Sequence, residues 1–188
     1  MNKEEINSNK LGFYKNLNID IDKLDCVMLE LEPLKNMYNI LEENGADCAL
    51  YHTQNKDRFW INGWVANKTP HITLLYGLLK NSKDYIDDVL IDWKLKEVEI
   101  ESIGYFNSPY KDEPYYCIIA HIKNTEKLLE GHQRLEFLPH INTFMGYKPH
   151  MTICYLNKNQ GEDYRDRMIK DFNNIWAGKK LKVIGVKL

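Results

Sequence analysis

Short runs with strand-like patterning alternate along the chain with segments whose apolar residues recur every three or four positions. Residues 26–32 (CVMLELE) read as a strand, and Pro33 stands where a helix over Leu34, Met37, Tyr38 and Leu41 begins, with Gly45 as its stop. Trp60 and Trp64 flank an Asn62-Gly63 hairpin signal. A strand from His71 to Leu78 follows, then a helix over 82–93 with Tyr85, Val89 and Leu90 as its apolar stripe. Residues 95–106 alternate as a strand, 107–114 (NSPYKDEP) form a loop, and 115–122 (YYCIIAHI) read as a buried strand. A helix over 125–137, a strand over 150–156, a helix over 163–176 and a strand over 181–188 complete the series. With no low-complexity linker, this alternation predicts an α+β or α/β domain over residues 25–188, preceded by a polar segment over 1–24.

One stretch occurs twice. PHITLL, from Pro70 to Leu75, returns as PHMTIC, from Pro149 to Cys154. Aligned without gaps from these prolines, 24 positions contain eight identities and six further pairs that are apolar on both sides. Asp84-Tyr85 falls on Asp163-Tyr164, Asp87 on Asp166, and Trp93 opposite Phe172. KLKEVEI (94–100) is echoed by KLKVIGV (180–186), so the repeated unit is strand–helix–strand. Repeated units of this kind commonly dock about a pseudo-twofold axis, with equivalent positions facing one another across a groove. The two tyrosines read as core residues and the aspartates as first-turn residues favoured by the helix dipole.

On a strand, His71 and Thr73 project to one face and Ile72, Leu74 and Tyr76 to the other, and His150 and Thr152 repeat this arrangement. A histidine and a threonine sharing one strand face need water, a partner or a ligand there. A single occurrence reads best as a satisfied half-buried histidine; two in register point to a shared site. Two converging imidazoles form a general base and a general acid, because histidine titrates near neutral pH. Two threonine hydroxyls can donate to the non-bridging oxygens of a phosphate. Neither motif supplies a third ligand at metal spacing, and P-loop, GxSxG and HExxH signatures are absent, so the chemistry expected uses no metal or cofactor.

Charge and composition narrow the ligand. A net charge of −2 argues against long nucleic acid, whose affinity comes from many cationic contacts, but not against a small anion. Twelve Tyr and four Trp supply stacking surfaces. The polar start, MNKEEINSNK, is unlike a secretory signal, and no run approaches the length of a membrane span, so no membrane partner and a cytoplasmic location are expected. Cys26, Cys48, Cys117 and Cys154 lie far apart and read as reduced, mostly core residues. Of the other histidines, His140 reads as a decoy and His132 as an exposed helical residue, while His52 and His121 fit rim or core equally.

The PHITLLYG and KPHMTICYL runs resemble the two-histidine phosphoesterase superfamily, whose signature is a pair of HxT or HxS motifs at the starts of two strands. The resemblance covers residues 26–188. It implies a bilobal α+β fold with both motifs in a concave cleft, metal-independent chemistry on short ribonucleotides, and His71, Thr73, His150 and Thr152 as the catalytic set. Within the superfamily, the PHxTLLYGLL run and the FYKN…CVMLELEP segment look like the viral anti-CBASS nucleases, which cleave cyclic di- and trinucleotide immune signals. That branch implies a host-cytoplasmic protein in which a ribose 2′-OH attacks the neighbouring 3′–5′ phosphate. Tyr14, Trp60, Trp64, Tyr110 and Tyr147 are the candidate base-stacking residues. The alternatives are an enzyme of RNA ends or 2′,5′-oligoadenylate, and a non-catalytic protein that sequesters nucleotides.

Overall fold

The computed structural model describes residues 24–32, 70–108, 114–141 and 146–188. The expected helix after Pro33, the Asn62-Gly63 hairpin and nearly all of the 1–24 segment lie outside these residues. The described elements are β1 (Asp25–Leu31), β2 (His71–Leu78), a 3-10 helix (Lys80–Tyr85) running into α1 (Ile86–Val89), β3 (Glu97–Asn107), β4 (Tyr115–Ile122), α2 (Glu126–Glu136), β5 (His150–Asn157), a 3-10 turn (Lys158–Gln160), α3 (Glu162–Trp176) and β6 (Lys180–Lys187). The strands form one antiparallel sheet in the order β2-β1-β6-β3-β4-β5, so the class is α+β.

β3 and β6 pair only over Glu97–Glu99 and Lys180–Lys182, the segments that carry the repeated KLK runs or follow them. Beyond that crossing β6 turns to β1 and β3 turns to β4. Although β2 and β5 end the strand order on opposite sides, they approach each other with Cα atoms within 8 Å. The two HxT strands are therefore neighbours in space.

Among the described residues the buried faces meet in one apolar core. Val27, Leu29 and Leu31 of β1, Ile72 and Leu74 of β2, Ile118 and Ala120 of β4, and Met151 and Ile153 of β5 are sealed from solvent or nearly so. α2 is held at its start by the Thr125 hydroxyl, which accepts from Leu128 N–H at 3.3 Å. It lies so close to Trp93 that a Cβ on Gly131 would stand 2.4 Å from the indole. Trp93 Nε1 donates to the Lys127 carbonyl at 2.8 Å. α3 packs on β3 through Met168, Phe172 and Trp176, and Asn173 bonds both backbone groups of Ile103. The buried positions of Trp93 and Phe172 agree with their alignment in the repeat.

Two sequence expectations are corrected. The 82–93 segment begins as a 3-10 helix, and its tighter winding rotates Tyr85 outward, to 56% exposure. Leu90 is buried as expected and Val89 packs partly against the core, while Ile86 and Trp93 take the inward place given to Tyr85. Second, strict alternation fails after each threonine. Leu74 and Leu75 are both buried, as are Ile153 and Cys154, and Tyr76 is 38% exposed where an inward ring was expected.

Candidate functional site

The broken alternation has a structural cause, and it occurs at the same place in both strand pairs. On β1 and β2 the partners are Glu30 with His71, Leu29 with Ile72 and Met28 with Thr73, after which the register slips so that Val27 faces Leu75 and Cys26 faces Tyr76. On β4 and β5 they are His121 with His150, Ala120 with Met151 and Ile119 with Thr152, and then Ile118 faces Cys154 and Cys117 faces Tyr155. Each slip inserts one extra residue, Leu74 or Ile153, and so forms a β-bulge immediately after the motif threonine. The bulge returns Tyr76 and Tyr155 to the His-Thr side of their strands. Just before each histidine the chain is tied by the same bond: Leu31 N–H donates to the Pro70 carbonyl at 2.7 Å, and Ile122 N–H to the Pro149 carbonyl at 3.0 Å.

The motif side chains sit at an intermediate depth, half-buried rather than sealed. His150 Nδ1 lies 2.9 Å from the Lys148 carbonyl, and because a carbonyl only accepts, the ring donates through Nδ1–H. Proton exchange on this imidazole then belongs to Nε2. The exposed Phe106 ring meets His150 edge-on with 5.1 Å between centroids, and meets His121 at 6.4 Å. His121 is held below the ordinary histidine range, chiefly by burial and next by the adjacent His150, with Lys148 acting the same way and Glu101 opposing. A thiol stands beside each threonine: Cys26 Sγ is 3.6 Å from Thr73 Oγ1, and Cys117 Sγ is 3.8 Å from Thr152 Oγ1.

His132 does not fit the exposed helical position expected of it. Its Nδ1–H donates to the carbonyl of Leu74, the extra residue of the first bulge, at 2.6 Å, and its ring stacks on Tyr147 with centroids 4.0 Å apart. It braces β2 directly beside Thr73. One face of Tyr147 is thereby covered, and its hydroxyl is buried without a hydrogen-bond partner. His140 donates to the Leu138 carbonyl at 2.8 Å and forms a single bridge with Leu78. Tyr14, Trp60, Trp64 and Tyr110 lie outside the described residues, as do Cys48 and His52.

Sequence reasoning missed Phe106, the position of His121, and the pairing of thiols with threonines. The signal for the thiols was present: CVMLEL and CIIAHI align by the same strand register as the motifs themselves. Among the described residues no three His, Cys, Asp or Glu side chains are grouped so as to hold a metal ion, and no helix is long and apolar enough to cross a membrane.

No protein-family model matches the chain, and no curated protein matches it in sequence. Among solved structures it resembles Usb1 from Kluyveromyces marxianus, with a TM-score of 0.54 at 11% identity, over 87% of this chain and 92% of that one. It also resembles the same protein determined with uridine monophosphate, with a TM-score of 0.52 at 11% identity, over 89% and 93% of the two chains. The α+β architecture is thus the fold of Usb1.

Proposed function

We propose that this chain is a metal-independent phosphodiesterase acting on short ribonucleotides, with His71 and His150 as the proton-transfer pair. The observation that carries the reading is the duplicated motif in one register, on two strands that lie side by side although they end the sheet order on opposite sides. In this reading the two halves, β2-β1-β6 and β5-β4-β3, are lobes around a cleft in which the imidazoles face one phosphate. One ring takes the proton of a ribose 2′-OH, the oxygen attacks the adjacent phosphorus, and the other ring protonates the departing 5′-oxygen. The products are a 2′,3′-cyclic phosphate and a free 5′-hydroxyl. Thr73 and Thr152 donate to the non-bridging oxygens, where negative charge builds. The Nδ1 bond of His150 to the Lys148 carbonyl supports the proton-transfer role, since it fixes the tautomer and directs exchange to Nε2.

Two substrates suit this chemistry. A linear ribonucleotide end is favoured, because a structural neighbour of the same fold was determined with uridine monophosphate. A cyclic di- or trinucleotide rests on the PHITLLYGLL run and the segment around CVMLELEP. The test is incubation in EDTA with a short oligoribonucleotide ending in uridines, a 3′,3′-cyclic dinucleotide, 2′,3′-cyclic AMP and 2′,5′-oligoadenylate, with the products separated. The expected result is shortening of the linear RNA without metal. Preferential linearisation of the cyclic dinucleotide would move the substrate to the second reading. Activity abolished by EDTA, or nucleotide binding without turnover, would falsify the proposal.

A further inference from the structure

Each candidate threonine has a cysteine beside it, and the two cysteines occupy the same register position in the two strand pairs. Cys26 faces Tyr76 and Cys117 faces Tyr155, each across the bulge from its threonine. Both are free thiols and half-buried. The Sγ–Oγ1 separations of 3.6 and 3.8 Å are hydrogen-bond distances for sulfur.

Direction matters, because a hydroxyl has a single proton. A threonine that gives it to sulfur has none left for an anionic oxygen; one that accepts from S–H keeps its own. Burial pushes both thiols up, Cys117 to about 11, against the opposing effect of the Thr73 hydroxyl on Cys26 and of the Thr152 and Tyr155 hydroxyls on Cys117. Both are therefore protonated at neutral pH and available as donors.

We propose that Cys26 and Cys117 are positioning residues that act through Thr73 and Thr152: each S–H donates to its threonine and leaves that threonine's O–H to a phosphoryl oxygen. The ligand's identity rests on the phosphodiesterase reading above; the thiol–threonine bonds do not. Because S–H is a weak donor, the effect is modest. Cys26→Val or Cys117→Val lowers kcat/KM about three- to tenfold, the range of one ordinary hydrogen bond. Cys→Ser at either position restores most of the loss, since a hydroxyl can donate in its place.

The decisive measurement is a double-mutant cycle. In a Thr73→Val background Cys26→Val has no further effect, and likewise for Cys117→Val on Thr152→Val. Equal losses in both backgrounds would mean that the thiols matter only as packing, and would overturn the proposal. A readout independent of activity is the infrared S–H stretch, assigned to each cysteine through its valine variant. Thr73→Val shifts the Cys26 band to the position of an unbonded thiol; the Cys117 thiol also meets the Tyr155 hydroxyl, so its band reaches that position when Thr152→Val is combined with Tyr155→Phe. Bands already at that position in the wild type would show that the thiols accept rather than donate, and overturn it as well. If both bands shift as expected while no ribonucleotide is cleaved, the phosphodiesterase reading fails and the bonds stand.

Discussion

Replacing Gly104 by alanine introduces a methyl group beside the candidate site without touching a motif residue. Gly104 lies on β3 outside the left-handed region, so its backbone accepts alanine. The new Cβ would stand 2.6 Å from His121 Nε2 and 3.1 Å from its Cδ2. The obstacle is one side-chain ring, which must retreat by about 0.9 Å to regain van der Waals distance. An off-rotamer ring costs about 1 kcal/mol, which lowers Tm by only ~2–4 °C in a domain of this size. The functional effect is larger, because His121 faces His150 across the strand pair and shares the edge of Phe106 with it. Displacements of ~1 Å near reacting groups cost up to ~10²-fold. His121 stands beside His150, one of the two histidines proposed to transfer protons, and is not itself one of them, so we expect about a tenfold fall in kcat/KM. The assay is steady-state cleavage of the short oligoribonucleotide, for Gly104→Ala alone and in a His121→Ala background. With the ring removed there is nothing to collide with, and Gly104→Ala has no further effect. A tenfold loss in both backgrounds would show that the methyl acts elsewhere and refute the reasoning.

Other outcomes follow from the same geometry. His71→Ala and His150→Ala each lower kcat by ~10²–10⁴-fold, the usual contribution of a general acid or base, and their combination adds little; a variant above a tenth of wild-type rate removes that residue from the pair. Phe106→Ala raises KM at least ~5-fold if the exposed ring stacks on a base, and an unchanged KM assigns the ring to the edge of His150 alone. His121 binds its proton less readily folded than unfolded, so its contribution to stability is full above about pH 6.5 and is lost as pH falls through its lower folded-state value. Denaturant midpoints of His121→Phe should fall less than those of wild type between pH 8 and pH 5; parallel declines would rule this contribution out.

The readable parts of this chain are those with a local cause. Strand and helix spans follow from periodicity, and the predicted 115–122, 125–137, 150–156 and 163–176 segments match β4, α2, β5 and α3 to within a residue or two. The two HxT motifs were legible because polar groups repeated on one face of an apolar strand need a structural reason, and duplication made coincidence a poor one. Strand pairing has no such local trace. His121 sits in YYCIIAHI as one polar residue in an apolar run, and only the register against β5 sets it opposite His150. Phe106 ends a strand like many exposed aromatics until His150 is brought to its edge. The bulges were hidden for the related reason that an extra residue is defined by the partner strand and not by its own sequence. Yet the same slip after Thr73 and after Thr152 explains the tyrosine six positions beyond each repeated proline: Tyr76 and Tyr155 rejoin the motif side, where alternation alone would have buried both. It also brings a thiol diagonally against each hydroxyl, at 3.6 and 3.8 Å. That the extra residue comes at the same place in both strand pairs, directly after a threonine two positions beyond a histidine, ties the bulge to what the two motifs share and not to either strand alone.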